Sequence, residues 1–269
     1  MLHRVQMKSP FPILELENLS RSFRGIPAIS GVSFRVDAGE IVGYLGSNGS
    51  GKSTTVKIIT GLLQPNDGRV LFEGGNIRED LVRFRAELGY VPEEAHLYTY
   101  MSGLEYLQLT GRLRGMGERT IRTKAERLLR LFGLDSWQHS PISLYSKGMK
   151  QRVLISAALM HDPKLLVFDE PLSGLDVVSA RLFKDLLQEL AAAGKAILYI
   201  SHGLEVVEQI CHRVVVISKG RILANAAPTE LTTLMKLPSL ETAFAQLVQQ
   251  QDTQAMAREL VAVMRGAHA

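Results

Sequence analysis

An apolar pentapeptide, Ile41-Val42-Gly43-Tyr44-Leu45, runs straight into Gly46-Ser47-Asn48-Gly49-Ser50-Gly51-Lys52-Ser53-Thr54. A continuous apolar run of this length predicts a buried strand. Residues 53–60 then carry helical spacing, with Gly61 as a stop. Strand, glycine-rich loop and helix in that order confine the chain to an α/β architecture with the loop at the end of a strand. Glycines let the backbone wrap closely and aim its N–H groups inward. The helix behind the loop adds the positive end of its dipole. Together these make a cradle for phosphate. Lys52 is spaced to set its ammonium on β- and γ-phosphates, and Ser53 to offer a hydroxyl to Mg²⁺, so the expected ligand is ATP with Mg²⁺. The bare pattern also suits an ordinary tight turn beside a lysine. The strand before it and the helix after it favour the cradle.

The rest of the chain supports a parallel sheet wrapped by helices. Apolar runs at 165–168, 196–200 and 214–217 read as buried strands, separated by helical stretches at 178–193 and 204–211. Near the start, 13–16 and 32–36 are strand-like, the second with clean alternation, and 69–72 is a further short strand. Asp37-Ala38-Gly39-Glu40 and Asn66-Asp67-Gly68 read as turns, and Ser218-Lys219-Gly220 as a hairpin turn into 221–224. Between about 77 and 162 the pattern becomes helical, at 103–113 and 120–132, which predicts a helical insert. Beyond Pro228 the chain is helical and polar, with Pro238 as a break. One apolar stripe follows at Leu240, Phe244, Leu247 and Val248, and another at Met256, Leu260, Val261 and Met264. Helices packed on the parent domain are the favoured reading of this tail.

At 269 residues and 46% hydrophobic content the chain has enough material for a full core, and 22% charged residues exclude a disordered chain. The net charge of +4 suits nucleotides, anionic lipid headgroups, nucleic acid or an ordinary soluble surface alike. A single cysteine, Cys211, cannot form a disulfide within the chain, and its apolar neighbourhood reads as a buried inert thiol. No run approaches the ~20 apolar residues of a membrane span, and residues 1–12 lack the apolar centre of a secretory signal. Service to a membrane would require another chain to cross it.

Leu165-Leu166-Val167-Phe168-Asp169-Glu170 is an apolar strand ending in two carboxylates. A buried strand delivers them to the carboxyl edge of the sheet, where nucleotides bind in open α/β folds. Asp169 is the expected Mg²⁺ ligand, and Glu170 the group that orients and deprotonates the attacking water. Phosphoryl transfer is mainly positioning and charge neutralisation, so a lysine, a metal and a placed base suffice.

Ahead of that strand stands Leu144-Tyr145-Ser146-Lys147-Gly148-Met149-Lys150-Gln151-Arg152, with Met149, Val153 and Ala157 at helical spacing. Ser146 and Gly148 therefore sit at a helix N-terminus, an anion-attracting position. With this segment in place, the chain resembles the ATP-binding subunits of ABC transporters over nearly all of residues 13–237. Ser146 and Gly148 match that family's signature, whereas Tyr145, Lys147 and Met149 depart from it in a form that resembles the branch pairing with ABC-2-type permeases. Glu93 stands where the family usually has glutamine. It can still ligate Mg²⁺ and accept a hydrogen bond but adds negative charge near phosphate. Pro238-Ser239-Leu240-Glu241-Thr242-Ala243-Phe244 resembles a common ending of the same branch.

The resemblance implies an α/β P-loop NTPase with a RecA-like parallel sheet core, an antiparallel β subdomain and an inserted α-helical subdomain. The ATPase domain would span 13–235, with the helical subdomain at roughly 78–162, followed by a C-terminal helical extension over 236–269. It implies that Phe23 stacks on adenine, that residues 46–54 hold the phosphates, and that Asp176, in Ser173-Gly174-Leu175-Asp176, belongs to a loop linking two sites across a dimer. It further implies that His202 contacts the γ-phosphate. Catalysis would then rest on Glu170, His202 and Lys52, and metal binding on Ser53, Glu93 and Asp169. Taken alone, a histidine at a strand end is more often a satisfied polar group, and a core phenylalanine is the lesser alternative for Phe23. The implied assembly is a homodimer or heterodimer of two cassettes on the cytoplasmic face of a membrane, attached to a transmembrane permease, with no nucleic acid partner. ATP would be sandwiched between Lys52 of one chain and Ser146 of the other. The alternative is an ABC ATPase acting as a switch without a permease.

Overall fold

The structure, a computed structural model, describes residues 11–94, 96–235 and 239–248. Its elements run β1 (Leu14–Phe23), β2 (Ile26–Val36), β3 (Ile41–Leu45), α1 (Lys52–Ile59), β4 (Asp67–Phe72), β5 (Gly75–Asn76), α2 (Leu81–Ala86), β6 (Leu88–Val91), α3 (Gly103–Leu113), α4 (Glu118–Leu131), α5 (Lys147–Leu159), β7 (Leu165–Asp169), α6 (Val177–Ala192), β8 (Ala196–Ile200), α7 (Leu204–Ile210), β9 (Arg213–Ser218), β10 (Arg221–Ala226), α8 (Pro228–Met235) and α9 (Leu240–Val248).

Six strands form the central sheet in the order β10-β9-β3-β8-β7-β6. The five from β9 to β6 pair in parallel, and β10 closes the edge antiparallel through a hairpin. Strands β3, β7 and β8 are buried at every residue, because both faces of the sheet are covered. The alternation of the pleat divides each strand between two cores. Leu165 and Val167 face α1 and the second sheet, whereas Leu166 and Phe168 face α5, α6 and α7. The second sheet, ordered β2-β1-β4-β5, is antiparallel throughout. A third apolar cluster joins α3, α4 and α5 through Leu107, Ile121, Ala125, Leu129, Val153 and Ala157. The parallel core, the antiparallel β layer and the helical layer are those expected.

Element limits shift in instructive ways. The helical stretch from 77 to 162 contains a strand: Leu88–Val91 pairs in parallel with β7 and forms the sheet edge. Its four residues are too short to outweigh the helical pattern around them, and pairing with β7 supplies what local sequence does not. Strands β1 and β2 are also longer than their apolar cores, since pairing carries through the polar residues Ser20 and Ser22. The hairpin turn is as expected: Lys219 and Gly220 both have positive φ, 47° and 76°, as a two-residue primed turn demands. Cys211 is buried, and burial pushes its thiol pKa up. In the tail, α9 packs on α7, and Leu240 and Ala243 are buried. Pro238, the side chains of Leu247 and Val248, and the stripe from Met256 to Met264 lie outside the described residues.

Candidate nucleotide site

The glycine loop leaves β3 and enters α1 with its conformation fixed from several sides. Tyr44 Oη donates to Thr55 Oγ1 at 3.0 Å, which ties the strand to the helix behind the loop. Gly51 takes φ 111° as the residue preceding α1, and a Cβ there would lie closer than 3.0 Å to Ala28 O and Ile29 Cγ2. At Gly46 a Cβ would crowd Ser50 Oγ and the carbonyl of Ile217 just as closely. Gly49, at φ 77°, has open space where a side chain would go. The hairpin tip braces the loop from below, where Gly220 N donates to Ser50 O at 2.9 Å. Lys52 Nζ donates to Gly46 O at 2.7 Å and Ser47 O at 3.1 Å, so the ammonium sits over the mouth of the loop. Burial pulls its pKa down, against the charges of Glu170, Asp169 and Glu93, which hold it up.

Strand β7 brings the carboxylates to the same mouth. Asp169 is 9% exposed. Burial first, then the charges of Glu93 and Glu170, push its carboxyl up to about 6, with Lys52 opposing. Glu170 turns the chain off the strand in a left-handed conformation, φ 47°, while its N–H donates to Ile200 O at 2.9 Å. Such backbone in a non-glycine residue costs on the order of 1 kcal/mol and persists only where the surroundings enforce it. The Glu170 side chain is held at both oxygens: Oε1 accepts from His202 N at 2.8 Å and meets His202 Nδ1 at 2.7 Å, and Oε2 accepts from Ser201 Oγ at 3.1 Å. An ionised carboxylate only accepts, so Nδ1 carries the proton.

These residues share one cleft of about 760 Å³, lined by Gly46, Ser47, Asn48, Gly49, Gly51, Lys52, Ser53, Thr54, Glu93, Asp169, Glu170 and His202. Ser50 lies beneath it, its Oγ buried without a hydrogen-bond partner. The fold thus brings the phosphate loop, the two carboxylates, Glu93 and His202 to one cleft. Four further members of the wall went unassigned: Ala28, Ser201, Leu204 and Phe244. Ser201 was legible as the neighbour of His202 at a strand end, whereas Phe244 stood only in a helical stripe and in the branch-like ending, neither of which points to the cleft.

Four sequence-selected residues stand outside this cleft. The Phe23 ring is 45% exposed, with the Arg21 guanidinium 5.1 Å from its centroid. Ser146 N-caps α5, accepting from Met149 N at 3.2 Å, and is exposed. Asp176 N-caps α6, accepting from Ser179 N at 2.9 Å and Ser179 Oγ at 2.7 Å. These bonds hold its pKa below the ordinary value. Gly148 is packed so tightly under Gly174 O that a Cβ would come closer than 3.0 Å. Lys147 Nζ donates to Ser173 Oγ at 2.7 Å, so the start of α5 and the loop before α6 form one unit.

Comparison with known proteins agrees with this geometry. The family model described as ABC transporter matches residues 29–173, more than half of the chain. The chain is 34% identical over 220 residues to the ABC transporter ATP-binding protein NatA of Bacillus subtilis, a match covering 80% of this chain and 89% of NatA. It is 36% identical over 222 residues to the Nod factor export ATP-binding protein I of Ralstonia nicotianae, covering 82% of this chain and 69% of that protein. A solved ATP-binding subunit of an ABC transporter superposes with a TM-score of 0.83 at 32% identity, covering 87% of this chain and 99% of the other. A phosphate loop facing a Glu170 held at both oxygens, in a cassette with these relatives, leaves one conclusion: the chain belongs to the ABC transporter family, as an ATP-binding, ATP-hydrolysing subunit.

Proposed function

We propose that this subunit powers export through a separate transmembrane permease of the ABC-2 type, by closing with a second cassette on two ATP molecules. The observation that carries the two-chain reading is the division of the site. Lys52, Asp169, Glu170 and His202 share one cleft, while Ser146, Gly148 and Asp176 lie outside it on a separate braced unit. Each chain therefore supplies one wall to its own cleft and the opposite wall to its partner's. The partner is an identical copy or a related cassette. The ATPase domain is assigned to 13–235, with its helical subdomain over roughly 78–162, and residues 236–269 form a C-terminal extension.

Within the cleft, residues 46–54 hold the phosphates with their N–H groups, and Lys52 leaves its loop carbonyls to meet the terminal phosphates. Ser53, Asp169 and Glu93 are oxygen ligands suited to Mg²⁺, which binds through one or two carboxylates together with substrate phosphates. Bound Mg²⁺ neutralises phosphate charge. Glu170 takes the proton of the attacking water, and His202 keeps Glu170 aimed through its backbone N–H and ring Nδ1. Phe23 stacks on the adenine.

Among the described residues no helix is long and apolar enough to cross a membrane. A groove of about 790 Å³ between core and helical layer, lined by Leu62, Val82, Arg85, Leu113, Arg114 and Leu154, is the proposed permease dock on the cytoplasmic face. Val82, Leu113 and Leu62 are 82%, 78% and 65% exposed there, an apolar patch that suits a partner surface. Export is supported by the likeness to the Nod factor export ATP-binding protein. Cysteines placed at Val82 or Leu113 should cross-link to a multi-span protein in native membranes and lose that adduct when the permease gene is deleted. Full yield of cassette with no membrane adduct from either position would favour a switch without a permease.

A further inference from the structure

Helix α9 closes the C-terminal side of the nucleotide cleft. Its start is fixed by a reciprocal cap, in which Thr242 N donates to Ser239 Oγ at 3.3 Å and Ser239 N donates to Thr242 Oγ1 at 3.2 Å. Its rotation is fixed by Leu240 and Ala243, each 1% exposed, with Leu240 in the apolar cluster that holds Val207 and Ile210 of α7. Phe244 is one helical turn beyond Leu240 and therefore shares its face. It packs against the same cluster and emerges in the wall of the cleft beside His202 and Leu204.

Leu204 is the first residue of α7 and is also packed against this cluster. Between it and β8 lie only Ser201, His202 and Gly203, the loop that holds both oxygens of Glu170. Ser201 is buried and bound to Glu170, but the rest of this loop has little support of its own. The His202 side chain is 84% exposed, and Gly203 N donates within the loop to Ser201 Oγ at 3.0 Å. The position of the loop is therefore set at one end by β8 and at the other by the start of α7, on which α9 packs.

We propose that Phe244 is a positioning residue for ATP hydrolysis: from α9 it buttresses the start of α7, and so holds the Ser201-His202-Gly203 loop and Glu170 in hydrolytic register. The proposal rests on the assignment of Glu170 as the base. It extends the hydrolytic machinery to the C-terminal segment, which becomes a place where events outside the cassette core can set the rate of turnover.

The test is steady-state hydrolysis by the full chain at saturating Mg²⁺, comparing the parent with Phe244→Ala, Phe244→Leu, Glu241→Ala and Glu170→Gln. Phe244→Ala should lower kcat about tenfold, the scale of a small misplacement of a reacting group. KM for ATP should stay within about twofold, because the phosphate loop does not depend on α9. Phe244→Leu, which refills the wall, should recover most of kcat, and Glu241→Ala, on the exposed face, should match the parent. Equal kcat in parent, Phe244→Ala and Phe244→Leu would overturn the proposal. So would a loss accounted for by the unfolded fraction seen in circular dichroism. Should Phe244→Ala fail to fold, Phe244→Val, which leaves part of the wall empty, carries the test: a kcat below that of Phe244→Leu at unchanged KM is expected, and a parental kcat would overturn the proposal. An active Glu170→Gln would instead show that the base is misassigned, a failure distinct from that of Phe244.

Discussion

Replacing Asp169 with asparagine should stabilise the nucleotide-free protein while ending its Mg²⁺-dependent hydrolysis. The Asp169 carboxyl titrates at about 6 against an ordinary 3.8. One pH unit corresponds to 1.36 kcal/mol, so ionised Asp169 costs the empty fold on the order of 3 kcal/mol. An asparagine is still a buried polar group, so about half of this, ~1–2 kcal/mol, is the expected gain. For a domain of this size that is a rise of about 2–8 °C in Tm. The pH dependence has a definite sign. A folded-state pKa above the unfolded value means that the native state holds the proton more tightly, so stability falls as pH rises from about 4 to 6, and the penalty is complete above 6. The advantage of the asparagine variant should therefore be full at pH 8 and shrink toward pH 4–5. Scanning calorimetry of both proteins across that range, with chelator and without nucleotide, measures it directly. A variant less stable than the parent at pH 8, or an advantage that grows on acidification, would refute the account of Asp169 as an ion held at a cost for its ligand.

Two further outcomes follow from the same geometry. Gly148→Ala forces a methyl group against Gly174 O; it should leave binding of a fluorescent ATP analogue by the single chain within about twofold but lower kcat at least tenfold, since the wall offered to a partner cassette is displaced. Glu93→Gln removes one of the charges that hold the Asp169 pKa up; the acidic limb of the pH–rate profile should move to lower pH, and metal-free ATP binding should tighten about three- to tenfold.

What the sequence made legible is what is built from neighbours. The phosphate loop, the carboxylates after 165–168 and the serine cap at 146 are each written in fewer than ten consecutive residues, and their chemistry depends on local backbone: a strand end, a helix start, a glycine with positive φ. Strand β6 escaped because Leu88-Gly89-Tyr90-Val91 is held by pairing with β7 rather than by its own pattern. Phe244 escaped for the same reason on a larger scale. A helical stripe announces that one face is buried, but which neighbour buries it is decided by docking onto α7, some 40 residues earlier. The left-handed backbone of Glu170 and its three hydrogen bonds were likewise invisible, because they arise where two strand ends meet. Sequence thus named the candidate reacting groups, and tertiary structure shows what holds them in place.

The central claim is that one chain carries half of each ATP site, and the most direct measurement is the mass of the Glu170→Gln protein in solution. With ATP and Mg²⁺ it should sediment as a dimer, and with ADP as a monomer, because hydrolysis is blocked and the closed pair persists. Adding Ser146→Arg should abolish the dimer while leaving ATP binding to the single chain intact. A protein that binds ATP tightly yet remains monomeric at every concentration, or a dimer indifferent to Ser146→Arg, would contradict the shared site.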